Sequence, residues 1–216
     1  MARFLSASQS RRERWILWGK CGLLVLGLSP LAFLVLGVLN DSLGPNPAEH
    51  LIRSLGDWTL RALWLTLAVT PLRQLLSWPW LLRFRRQLGL FAFFYACCHL
   101  LSYAVFDMDL DWADIVHDLA KRPFILVGFG AWLLMIPLAL TSFNAAIKRL
   151  GAKAWQGLHR LVYGIALLAL LHFFWMRAAK HNFNEVAVYG LLLALLLGWR
   201  LVRYWRERRA RILARI

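Results

Sequence analysis

The sequence predicts an all-α integral membrane protein, a six-transmembrane-helix bundle with both termini cytoplasmic. Three observations carry this. Hydrophobic residues make up 60% of the chain and charged residues 17%, with a mean hydropathy of +0.55, more apolar surface than one soluble core buries. Apolar runs of the roughly 20 residues needed to span hydrocarbon recur between charge, Pro or Gly. The basic residues gather on alternate flanks of those runs.

The first run, about 17–39, follows a basic N-terminus but lacks a small-residue cleavage site, so it is expected to be a retained helix. The second, about 55–76, is interrupted by Arg61 and carries Pro71; the third covers about 87–106. The fourth, about 124–142, contains Pro137, and membrane helices tolerate such prolines. Runs five and six cover about 155–176 and 185–204. The longest gap, about 107–123, is too short for a soluble domain, and no Gly-rich phosphate loop follows a strand, so residues 1–216 read as a single transmembrane domain. Cys21, Cys97 and Cys98 lie in apolar stretches and read as small apolar side chains rather than a disulfide framework.

Orientation follows from Lys and Arg being retained on the cytoplasmic side. One set of flanks holds Arg3, Arg11, Arg12, Arg14 and Lys20; Arg73, Arg83, Arg85 and Arg86; Lys148, Arg149, Lys153 and Arg160; and a C-terminal series from Arg200 to Arg215. The opposite flanks hold only Arg53, Lys121, Arg122, Arg177 and Lys180, with Asp107, Asp109, Asp111, Asp114 and Asp118. The net charge of +15 is thus distributed for lipid headgroups, not along one face for nucleic acid.

Ionisable residues inside a span are costly, so His99, His159, His172 and Arg61 each invite a functional reading. At 1.5 Å per residue, His99 lies roughly 12 Å below Asp107 and His172 roughly 8 Å below Arg177, whereas His159 lies about 27 Å below Arg177. His99 and His172 are therefore matched in depth. Two imidazoles at one level on different helices are what bis-histidine haem ligation requires, and no third or fourth ligand favours zinc. His159 is about 20 Å of rise and about 140° of rotation from His172 and cannot share its iron. It is a candidate for a second haem, or a hydrogen bond to a neighbouring helix. Arg61 would either meet a haem propionate or snorkel to the outer interface. His50, His117 and His181 fall in outer loops and read as solvated.

Several stretches carry a family resemblance: Val69-Thr70-Pro71-Leu72, Arg85-Arg86-Gln87-Leu88-Gly89-Leu90, His99-Leu100-Leu101-Ser102-Tyr103, Arg122-Pro123, Leu140-Thr141-Ser142, Trp155 to Tyr163, and His172 with Trp175. Their order resembles the MsrQ (YedZ) family, haem-binding membrane subunits of a periplasmic protein-methionine-sulfoxide reductase system within the ferric-reductase-type transmembrane group. The resemblance implies a bacterial inner membrane protein that binds b-type haem (heme b) at His99, His172 and His159. It further implies electrons arriving from the quinone pool, or from a cytoplasmic flavin reductase through FMN, and leaving to a periplasmic molybdenum-containing (molybdopterin) catalytic subunit. Larger relatives carry two histidines on each of two helices; a single histidine on helix three leaves the second haem open. Two rivals stand beside this reading. One is a stand-alone ferric or cupric reductase. The other is a proton-coupled transporter, against which the missing inverted repeat and an expected lack of intramembrane carboxylates count.

Overall fold

A computed structural model describes residues 2–178 and 183–214, with side chains from residue 13 onward. Lys180, His181 and Arg215, and the side chains of Arg3, Arg11 and Arg12, lie outside the described residues. The regular elements among the described residues are all helical: α1 (Ala2–Leu39), α2 (Pro47–Leu75), a 3-10 turn (Pro79–Leu81), α3 (Leu82–Phe106), α4 (Trp112–Lys121), α5 (Pro123–Leu140), α6 (Asn144–Leu150), α7 (Ala152–His159), α8 (Leu161–Ala178) and α9 (Asn184–Leu213).

Among the described residues, five helical stretches are long and apolar enough to cross a membrane: Glu13–Leu39, Pro79–Phe106, Pro123–Leu140, Ala152–Ala178 and Asn184–Leu213. The expected second crossing, in α2, is not among them, because Glu49, Arg53, Asp57, Arg61 and Arg73 raise its charge. That helix also begins earlier than its apolar run. Asn46 caps it, accepting from the Glu49 N–H at 3.1 Å, with Pro47 at the first helical position and Glu49 in the first turn.

Two further departures have local causes. The gap near 107–123 contains α4, started by Asp111, whose carboxylate accepts from the N–H groups of Ala113 and Asp114. Buried Asp118 ties α4 back to α3, accepting from the Tyr103 hydroxyl at 2.7 Å. The expected fifth helix is divided at Arg160, where Tyr163 N–H bonds back only three residues, to the Arg160 carbonyl, with Gly157 and Gly164 on either side.

The most extensive helix pairs are α2 with α3 and α5 with α8. Leu55, Leu63, Leu67, Tyr95, Ile165 and Leu193 are buried between helices, and Ala92 and Ala166, fully enclosed, let backbones approach closely. Outward faces stay apolar: Phe33, Leu65, Leu101, Leu133 and Leu191 are exposed, as lipid-facing side chains should be. Two ends can be distinguished, an acid-rich one with Asp107 and α4 and a basic one with Arg85, Arg86 and Arg160.

Prolines inside helices free carbonyls four residues back, and in lipid these must find other donors. Pro30 frees Leu26 O, which accepts from Ser29 Oγ at 2.9 Å. Pro71 brings no N–H to Leu67 O, and the Arg200 guanidinium on α9 donates to it instead. Arg200→Leu is expected to destabilise the bundle by about 1–3 kcal/mol. Adding Pro71→Ala, which restores an N–H, should recover part of that loss in denaturant titrations of the detergent-solubilised protein; equal stability of Arg200→Leu and parent would refute the tie.

Candidate functional site

The two extensive helix pairs each build one half of a site. In the α2/α3 pair, His99 Nδ1–H donates to Ile52 O at 2.8 Å; in the α5/α8 pair, His172 Nδ1–H donates to Phe124 O at 2.6 Å. A carbonyl can only accept, so both rings carry their proton on Nδ1 and keep the Nε2 lone pair free. The imidazoles face each other, with ring centroids 6.2 Å apart and planes at 75°. Two metal–imidazole bonds of about 2.0 Å, with each centroid about 1 Å behind its nitrogen, span roughly 6 Å. The observed spacing matches that of two imidazoles sharing one metal ion.

Glycine makes this approach possible on both sides. The carbonyl residue and the glycine four positions on, Ile52 with Gly56 and Phe124 with Gly128, share one helix face. A Cβ at Gly56 would stand 3.2 Å from His99 Cε1 and 3.3 Å from Nδ1; at Gly128 it would stand 2.7 Å from His172 Nδ1 and 2.9 Å from Cε1. Each imidazole lies on a helix surface where no side chain intervenes.

Both rings line a cavity of about 400 Å³, within the range of small-molecule sites. Its depth is apolar, with Leu60, Leu63, Met135, Ile165 and Phe173; its mouth at the acid-rich end carries Asn46, Glu49, Arg53, Asp107 and Arg122. Among the described residues no group of three or more His, Cys, Asp or Glu could hold a metal ion. A metal bound here would take two protein ligands and the rest of its coordination from a flat macrocycle that the apolar walls enclose. Cys97 turns elsewhere, accepting from Trp132 Nε1–H at 3.3 Å.

His159 lies apart, in a second cavity of about 530 Å³ at the basic end, beside Arg85, Arg86, Gln156, Arg160 and Arg200. Its ring stacks on Trp155 with centroids 4.0 Å apart. The Thr141 hydroxyl, which donates to Pro137 O at 2.7 Å, stands 3.0 Å from His159 Nε2. The two cavities share Leu63, Met135 and Ile165 as a common wall.

Arg61 does not line the His99 cavity. It is exposed, donates from Nε to Tyr189 Oη at 3.3 Å and lies 4.7 Å over the Trp58 ring. Arg53 and Arg122 reach the mouth instead. His50 and His117 are exposed. The expected absence of intramembrane carboxylates fails at Asp57, which lies inside the expected second span and lines the cavity.

A family model described as ferric reductase like transmembrane component matches residues 55–170. The chain is 57% identical over 210 residues to the protein-methionine-sulfoxide reductase heme-binding subunit MsrQ of Polaromonas naphthalenivorans (strain CJ2), covering 96% of each chain. The protein of the same name from Herminiimonas arsenicoxydans is 51% identical over 88% of this chain and 87% of its own. That from Ralstonia nicotianae is 51% identical over 86% and 85%. No solved structure matches the chain.

Proposed function

This chain belongs to the MsrQ family, within the ferric-reductase-like transmembrane group, and from that premise we propose that it is the haem b electron-transfer subunit of a protein-methionine-sulfoxide reductase system. In this reading the bundle crosses a bacterial inner membrane six times, α2 included, with the basic end cytoplasmic and the acid-rich end periplasmic. The adjacent rings of His99 and His172, with centroids 6.2 Å apart and Nδ1 of each held by a carbonyl so that Nε2 keeps its lone pair, carry the proposal. Haem held by His99 and His172 would supply one-electron transfer, leaving the substrate chemistry to a partner. The Ile52 and Phe124 carbonyls fix ring orientation and tautomer and make the ligating nitrogens more basic.

Electrons are proposed to arrive at the basic end from the quinone pool or a cytoplasmic flavin reductase, with FMN as carrier. Arg85, Arg86, Arg160 and Arg200 give the His159 cavity the positive field that a quinol headgroup or flavin phosphate would meet. They are proposed to leave at the acid-rich end to a periplasmic molybdopterin-containing catalytic subunit, which carries the sulfoxide chemistry.

The direct test is a reduced-minus-oxidised optical spectrum of the purified protein; a parent without low-spin haem bands sinks the proposal. His159→Ala is expected to keep the haem of the His99–His172 site while reduction by quinol or reduced flavin slows roughly tenfold. Haem per chain falling by half in that variant would assign a second haem to His159; an unchanged rate and haem content would remove His159 from the path.

A further inference from the structure

We infer that Arg53 and Arg122 form a two-armed clamp for the propionate carboxylates of the haem assigned to the His99–His172 cavity, so that the propionate edge faces the acid-rich end. This rests on the reading above and adds to it an orientation about the axis joining the two histidines. Among the described residues, Arg53 and Arg122 are the only Lys or Arg lining that cavity, and both stand at its mouth.

Each half-site contributes one of the two arginines from beside the carbonyl residue that holds its histidine. Arg53 directly follows Ile52, whose carbonyl holds His99, and Arg122 lies two residues before Phe124, whose carbonyl holds His172. Each is paired with an acid one helical turn earlier, Arg53 with Glu49 and Arg122 with Asp118. The second pair shows how such an acid serves: Asp118 accepts Arg122 Nε–H at 2.8 Å and the Tyr103 hydroxyl at 2.7 Å, which aligns the guanidinium by one nitrogen. The terminal nitrogens of Arg122 are thereby turned to a second carboxylate, whereas Glu49 takes Arg53 by Nη2 and leaves its Nη1 and Nε for one.

A haem is an amphiphile with its acids on one edge, and this cavity has the complementary form. Turned the other way, two carboxylates would face Leu63, Met135 and Ile165 with no donor, which is far costlier than a mouth that already holds two cations. Arg122 is 52% exposed in its side chain and Arg53 30%, so water screens the clamp and its effect on affinity is moderate.

The test titrates haem and haem dimethyl ester, whose propionates are uncharged, into the haem-depleted full-length protein in detergent. The parent should bind the free acid more tightly, with Arg53→Gln and Arg122→Gln each weakening it about tenfold and leaving ester affinity unchanged. The double variant should no longer distinguish acid from ester, while Arg61→Gln keeps the parent's preference. Equal affinity of the parent for both forms, or a double variant that retains the preference, overturns the clamp while leaving bis-histidine binding intact. A parent that binds neither form overturns the haem reading as well. If Arg122→Gln fails to fold because Asp118 loses its partner, the parent's own preference and Arg53→Gln still decide the matter.

Discussion

Gly128→Ala is expected to strip haem from the protein almost as completely as His172→Ala, although it removes no ligand. The added methyl would stand 2.7 Å from His172 Nδ1 and 2.9 Å from Cε1, closer than real Cβ contacts come. The ring cannot yield cheaply, because Nδ1 is already held at 2.6 Å from Phe124 O and α8 is packed against α5. Either that hydrogen bond breaks or the helices part, and both tilt the Nε2 lone pair away from its partner across the site. Gly56→Ala should be milder: its methyl would meet His99 at 3.2 and 3.3 Å, a few tenths of an ångström of adjustment. Outer-sphere changes around a ligating histidine cost about 10–100-fold in affinity, with Gly128→Ala expected at the upper end or beyond and Gly56→Ala at the lower. Haem per chain, with the low-spin spectrum, measures both. Gly130→Ala on the same helix, where a Cβ meets nothing within 4 Å, is the control; a Gly128→Ala protein with the parent's haem content would refute the cradle.

The meeting of His99 and His172 was legible in the sequence because depth in a bilayer is nearly one-dimensional: charge orients each helix, and 1.5 Å per residue does the rest. Rotation about the helix axis was not legible. Arg61 is on the expected helix, yet at 100° per residue it lies about 140° around from Gly56, the residue facing His99, whereas Arg53 lies about 60° away. Depth alone therefore left Arg61 open between the cavity and the outer interface, and its side chain does not line the cavity. The carbonyl and glycine partners were equally hidden, since Gly130, Gly164 and Gly198 sit in similar apolar surroundings and face nothing within 4 Å. Helix α4 had its signals in plain view, Asp111 and Asp114 at one end and Lys121 at the other, but a scan for twenty-residue apolar runs passes over ten residues. Part of the charge of α2 precedes its apolar run: Glu49 and Arg53 line the cavity, whereas Arg61, which interrupts the run, does not.

Arg177→Met should be the most destabilising single change at the acid-rich end. Arg177 on α8 stands between two acids from other helices, Glu185 of α9 at 2.6 Å and Asp57 of α2 at 3.7 Å, with its guanidinium 5.2 Å over the Phe173 ring. The arginine and Asp57 side chains are only 13% and 20% exposed, so water cannot make up the charge of Asp57 if the cation goes, whereas half-exposed Glu185 can turn to solvent. Breaking a buried pair by deleting one partner costs about 3–5 kcal/mol, mostly through the charge left behind. For a chain of this size that corresponds to roughly 6–20 °C in the midpoint of thermal unfolding. Asp57→Asn should cost less, since Arg177 retains Glu185, and the double variant Asp57→Asn with Arg177→Gln should regain much of the loss because the one acid left without its cation, Glu185, is half exposed to water. A midpoint for Arg177→Met within about 2 °C of the parent would show that the triad does not hold α2, α8 and α9 together. Asp57 also lines the His99 cavity. The neutral double variant therefore separates two roles of that charge: if stability returns while haem content or midpoint potential stays altered, the buried carboxylate acts on the site and not only on the fold.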